Sequence, residues 1–129
     1  MANVEHSALT GSNLHEPKGV ATATVDFVYQ ADGAGSGAWK LPIKKYSITL
    51  TPAIVATNTT SEQAFTCTGL AVATDKIIGV SKPTHQAGLG IVGWRCDADN
   101  SVSIVFMNTT AAGITPTAAE VYTVFAHRT

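Results

Sequence analysis

Apolar and polar positions alternate with period two along several short stretches of the chain. Tyr46, Ile48 and Leu50 alternate with Ser47 and Thr49, Phe65 and Cys67 with Thr66 and Thr68, and Val102, Ile104 and Phe106 with Ser101 and Ser103. In a strand successive side chains point to opposite faces, so this rhythm predicts strands with one face on a core. Three further runs, Lys76 to Lys82, Gly90 to Cys96 and Glu120 to His127, are rich in β-branched and aromatic residues and are also expected as strands. Upstream, Thr24 to Gln30 sets Val25, Phe27 and Tyr29 on one face, and Trp39 to Ile43 follows the glycine-rich ADGAGSGA; together they predict a hairpin with a flexible loop.

Turn chemistry separates the runs: Thr57-Asn58-Thr59-Thr60-Ser61, Ala73-Thr74-Asp75, Lys82-Pro83-Thr84, Asp97-Ala98-Asp99-Asn100 and Ile114-Thr115-Pro116-Thr117. Pro116 to Glu120 is the only stretch that reads as a helical turn, and it is too short to stand alone. The expected fold is all-β: a single antiparallel, jelly-roll-like β-sandwich of about eight strands over residues 24–129, with the glycine-rich hairpin at 30–38. Residues 1–23 show neither period. Pro17, Gly11 and Gly19 punctuate them, and they are expected to form an extended N-terminal arm that orders on a partner.

Composition narrows the function. Only 13% of the 129 residues are charged while 45% are hydrophobic. An ordinary soluble domain carries about 25% charge, so much of this surface is expected to be covered by sister subunits or a larger lattice. A net charge of -1 offers no basic field for a phosphate backbone, which argues against nucleic acid. No apolar run reaches the roughly 18 residues of a membrane helix, and the polar start lacks the layout of a secretory signal; synthesis in the cytosol without membrane association is expected.

The chemical motifs favour structural readings. Gly88-Leu89-Gly90-Ile91-Val92-Gly93 spells G-x-G-x-x-G, but the residues after it read as a strand where a dinucleotide site needs a helix. Gly33, Gly35 and Gly37 lack the lysine of a phosphate-binding loop. His6, His15, His85 and His127 show no metal-ligand spacing, and Asp97, Asp99 and Asn100 lack the glycine and distal glutamate of a calcium loop. No activated nucleophile with a base is legible, so no catalytic, cofactor or metal site is expected. Asn58-Thr59-Thr60 and Asn108-Thr109-Thr110 fit the glycosylation pattern but are expected to be turns. Cys67 and Cys96 sit in apolar stretches and are expected as buried free thiols, with a disulfide between them the alternative. Trp39 and Trp94 are candidate interface aromatics, with core packing the competing use.

One pattern carries a resemblance. The run Ala8-Leu9-Thr10-Gly11-Ser12-Asn13-Leu14-His15-Glu16-Pro17-Lys18-Gly19-Val20, followed by Val28-Tyr29-Gln30-Ala31-Asp32-Gly33-Ala34-Gly35-Ser36-Gly37-Ala38-Trp39, resembles a segment of tailed-bacteriophage head-decoration and head-fibre proteins. The stretches Asn58 to Gln63 into Phe65 to Leu70, and Lys82-Pro83 into Ala87 to Val92, are similar to the β-domain of the same group. The resemblance implies a capsid decoration or cement protein, commonly a homotrimer, on the outer surface of the virion head. The major capsid protein would be its partner and Asn13, Leu14, His15, Glu16, Pro17 and Lys18 its capsid-contact arm. The competing expectation is a tail- or head-fibre module whose loops Gln30 to Ala38 and Pro83 to Gly90 bind host surface carbohydrate; a virion hydrolase is the third.

Overall fold

The computed structural model describes residues 23–25, 27–31, 33, 34 and 37–128. The chain divides into two compact units, residues 1–41 and 42–129. The described residues form eight strands in antiparallel sheets and no helix.

In the first unit, β1 (Val28–Ala31) pairs with β2 (Gly37–Lys40), Tyr29 standing opposite Trp39. Their rings meet edge to face with centroids 5.5 Å apart, a geometry worth about 1 kcal/mol beyond burial. Gly37 is required, because a Cβ there would lie 2.5 Å from the Gln30 carbonyl oxygen and 2.8 Å from Cε1 of Tyr29. The first strand is shorter than the pattern predicts. Phe27 N–H donates to Thr24 O at 3.1 Å, closing a turn that takes Val25 out of the strand and leaves it 83% exposed. The second ends at Lys40, ahead of Pro42, whose missing N–H cannot continue a ladder.

The second unit holds β3 (Ile43–Leu50), β4 (Thr59–Thr66), β5 (Asp75–Ser81), β6 (Leu89–Ala98), β7 (Ser101–Asn108) and β8 (Glu120–Arg128). They make two three-stranded sheets, ordered β3-β8-β5 and β4-β7-β6. The central strands β7 and β8 carry the core: Val102, Ile104 and Phe106 on one, Tyr122, Val124 and Ala126 on the other, all fully buried. Leu50, Val55, Cys67 and Leu70 complete one apolar cluster. The ring of Phe106 meets that of Phe65 edge-on at 6.5 Å and that of Tyr122 at 6.4 Å. Burying each such side chain contributes about 1.5–3 kcal/mol.

Most expected strands fall where the pattern places them. The exception is β4, which begins at Thr59 inside the stretch read as a turn. Thr57 and Asn58 make the turn, Asn58 with φ +48°, and the β-branched Thr59 and Thr60 enter the ladder opposite Asn108 and Met107.

Polar locks close the two ends of this unit. At one end, the β6–β7 turn holds the 67–72 segment: Asn100 accepts from Gly69 N–H at 2.7 Å and Asp99 from Val72 N–H at 2.9 Å. At the other, the buried Asn108 amide donates to the carbonyls of Val55, Ala56 and Ala112 and accepts from the Thr110 amide and hydroxyl. This gives the second Asn-Thr-Thr its structural use.

Candidate functional site

Three concavities and one sheet face of residues 42–128 offer places to meet another molecule. One is a cleft of about 410 Å³ lined by Lys82, Pro83, Thr84, His85, Gln86, Leu89, Gly90, Ile91 and Phe106. It includes most of the Pro83 to Gly90 loop that the sequence offered for carbohydrate. Lys82, Thr84 and Gln86 are engaged within the chain, while His85 is exposed. The Lys82 ammonium reaches Glu120 Oε2 at 2.7 Å and donates to the Thr84 carbonyl at 2.7 Å and the Thr84 hydroxyl at 2.9 Å. Thr84 in turn donates to Glu120 Oε1. The Lys82 ammonium beside it, together with the Thr84 hydroxyl, holds the Glu120 carboxyl below its ordinary range. Gln86 donates to Thr115 O at 3.1 Å and accepts from Thr117 N–H at 2.8 Å. With these groups engaged, the arrangement fixes the loop against the 115–120 segment.

A shallow hollow of about 470 Å³ lies over Asn58, Thr59, Thr60, Met107, Asn108 and Thr109. The ladder thus sets the two Asn-Thr-Thr segments side by side. A third, of about 310 Å³, is lined by Val72, Asp75, Lys76, Ile77, Arg95 and Cys96. Both cysteines are free thiols, Cys67 buried and Cys96 half-buried. Burial pushes the pKa of each thiol up, which keeps them protonated and poor nucleophiles.

No protein-family model matches this chain. Nor does any curated protein or any solved structure.

Asn13, Leu14, His15, Glu16, Pro17 and Lys18 lie outside the described residues. Trp39 is half-buried in the β1–β2 hairpin against Tyr29. Trp94 is 37% exposed on β6, and its indole N–H donates to Ile77 O at 3.2 Å, tying β6 to β5. The two tryptophans belong to separate units. His85 lines the cleft and His127 stands on β8 between Ile43 and Lys76. Among the described residues no group of three or more His, Cys, Asp or Glu could hold a metal ion, and no helix is long and apolar enough to cross a membrane. The G-x-G-x-x-G run is a turn at Gly88, with φ +78°, entering strand β6.

What sequence reasoning missed is the apolar character of the outer face of the β3-β8-β5 sheet. Register places Ile43 beside His127, Lys45 beside Phe125 and Thr49 beside Val121, with Lys76 and Gly79 on the far side of β8. Ile43, Val121 and the bulged Ile78 are 43%, 53% and 52% exposed. Gly79 leaves room beside the half-buried Phe125 ring, its missing Cβ 3.9 Å from Cδ2. Lys45, Lys76 and His127 stand exposed among these apolar groups. The signal was available in the alternate positions of Glu120 to His127, where Val121 and Phe125 fall on the face opposite Tyr122 and Val124; a strand apolar on both faces has both covered.

Proposed function

We propose that the chain is a non-enzymatic bacteriophage capsid decoration, or cement, protein that binds the outer surface of the head and stabilises the shell. It acts through a self-associating β-domain and the N-terminal arm, residues 1–23. The observation that carries this reading is the outer face of β3-β8-β5, where exposed Ile43, Ile78 and Val121 cross three strands in a chain with little charge. A face of this kind accumulates many modest apolar contacts over a broad surface, and its lysines suit an acidic rim on the shell. The inward engagement of Lys82, Thr84, Gln86 and Glu120 supports a structural role over turnover. The phage-like segments supply the identity of the lattice.

For the β-domain we propose a jelly-roll-like sandwich. Pairing of β3 with β8 and of β4 with β7 is nested, as in an antiparallel ribbon rolled so that alternate pairs fall in different sheets, and this supports that topology.

Co-sedimentation with expanded, undecorated capsids of the encoding phage tests the reading. Wild-type protein should saturate the shells; Ile78→Glu/Val121→Glu should lose most of the binding while keeping its fold, and deletion of residues 1–23 should weaken it. Failure of wild-type protein to bind any capsid discards the function, and unchanged affinity of the truncated chain discards the arm.

A second reading, a fibre module binding host carbohydrate, rests on the cleft formed by the Pro83 to Gly90 loop. Binding on a glycan array that His85→Ala abolishes would favour it over cement.

A further inference from the structure

Four strands end the two sheets of residues 42–128, and three of them carry a device that resists pairing with another strand. An edge strand presents a row of unpaired N–H and C=O groups, and proteins blunt such edges with bulges, lysines or prolines. Strand β5 is interrupted by a bulge between Ile77 and Gly79. Strand β6 is interrupted twice, between Ile91 and Gly93 and between Arg95 and Ala98. Strand β3 runs unbroken but carries Lys44 and Lys45. Strand β4 has none of these. It pairs with β7 without interruption from Thr59 to Thr66, and its sequence TTSEQAFT contains no Pro, Gly or Lys.

Its single charge is already neutralised. Glu62 Oε1 accepts from Arg95 Nη2 at 2.6 Å and Nε at 2.8 Å. Among the described residues, no backbone hydrogen bond joins β4 to anything but β7. Gln63 meets the Ala53 backbone through its side chain, which points to the inner face and leaves the ladder edge of β4 open.

We infer that β4 pairs antiparallel with β4 of a second copy of this chain, about a two-fold axis through Gln63. Two features select a second copy. First, the joined sheet would run β6-β7-β4-β4-β7-β6, so both of its ends would be the twice-bulged β6 and the assembly would close at two. Second, the side chains fit. A two-fold axis normal to the sheet keeps the outer faces on one side, which leaves two registers of greatest overlap. One sets Glu62 against its own copy. The other, centred on Gln63, sets Glu62 against Ala64 and Thr60 against Thr66 at both ends, with no like charges opposed. This inference stands on the edge geometry and is independent of the capsid reading; it departs from the trimer that the phage resemblance implies.

The register makes the test specific. In Thr60→Lys/Thr66→Lys, each lysine would face a lysine of the other copy; in Thr60→Lys/Thr66→Glu, each would face a glutamate. Sedimentation equilibrium of the full chain should give a dimer for wild type, a dimer dissociation constant at least about tenfold higher for the double lysine variant, and near wild-type affinity for the charge-paired variant. Circular dichroism checks that each is folded. A wild-type monomer, which is also the result if the chain's own N-terminal residues cover β4, overturns the inference. So does a wild-type trimer, or a dimer that both variants leave unchanged or weaken alike.

Discussion

Arg128 closes on Asp75 through two parallel hydrogen bonds, Nε to Oδ1 and Nη2 to Oδ2, both 2.6 Å, across 53 residues of sequence. Asp75 is 1% exposed and also accepts from Tyr46 OH at 3.1 Å and Ala71 N–H at 2.9 Å. The pair pins the last residue of β8 to the first of β5, and Tyr46 carries the lock across to β3. The Arg128 guanidinium, seconded by the Ala71 and Tyr46 donors, holds the Asp75 carboxyl down from 3.8 to about 2 against the opposing effect of burial.

That depression sets a pH window. A carboxylate with a lowered folded pKa contributes stability that is fully present above its unfolded value and is lost as pH falls through the folded one. Asp75 should thus contribute up to roughly 2 kcal/mol at neutral pH, lost between about pH 4 and pH 2. Urea titrations across this range should show a steeper fall for wild type than for Asp75→Asn. Because the carboxyls of Glu120 and Asp97 are also held low, the difference between the two proteins is the quantity to read. Parallel curves would show that Asp75 does not carry the effect.

Tyr122 poses the opposite case. Its ring fills the core with no exposure, and among the described residues its hydroxyl has no hydrogen-bond partner. Burial, with the nearby Glu120 charge adding to it, pushes the phenol up to about 12. A buried polar group without a partner costs stability, so Tyr122→Phe should stabilise the protein by about 1 kcal/mol while keeping the ring contact with Phe106. A rise in melting temperature checks this; a fall of similar size would mean that the hydroxyl is satisfied.

Asn108 is fully engaged. Its amide spans Val55, Ala56 and Ala112 while its oxygen holds Thr110, so one side chain joins the segment before β4 to the segment after β7. Asn108→Ala should cost about 2–4 kcal/mol in chemical denaturation. Asn108→Asp should be no milder, since it turns a carboxylate toward three carbonyl oxygens. A loss below half a kcal/mol for either variant would contradict this assignment.

The legible and illegible parts of the chain differ for physical reasons. Strands β3 and β7 could be read because one face of each sits on the core and period two survives, and β8 was legible from its β-branched and aromatic residues, because Val121 and Phe125 make its outer face apolar as well. Strands β5 and β6 blurred because the bulged Ile78 and Val92, each about half exposed, put an extra residue into the alternation. The start of β4 was hidden by its turn-like composition, and by Ser61 and Gln63, polar residues on its inner face. The Asp75–Arg128 and Lys82–Glu120 pairs join residues 53 and 38 positions apart, which no local spacing reveals. The outer face of β3-β8-β5 is hinted at by Val121 and Phe125 in the sequence of β8, but its extent needs register, which sets Ile43, Ile78 and Val121 on neighbouring strands. Candidate chemistry was legible mainly as context: a strand following Gly88 is what separates this glycine run from a dinucleotide loop.

That glycine run yields a prediction in which neighbouring glycines part company. Gly88 has φ +78°, and a Cβ there would stand 2.2 Å from Cγ2 of Thr110. Gly88→Ala combines left-handed strain of about 1 kcal/mol with a steric clash, and should lower stability by about 2–3 kcal/mol. Thr110→Ser removes the clashing methyl and keeps the hydroxyl that donates to Asn108, so Gly88→Ala/Thr110→Ser should recover the steric part and retain the backbone part. Gly90, two residues on, has nothing within 4 Å of its missing Cβ. Gly90→Ala should lie within about 0.5 kcal/mol of wild type. Thermal melts of the four proteins decide the point: equal losses at 88 and 90 would mean that general loop flexibility, rather than the fit against Thr110, is what glycine provides.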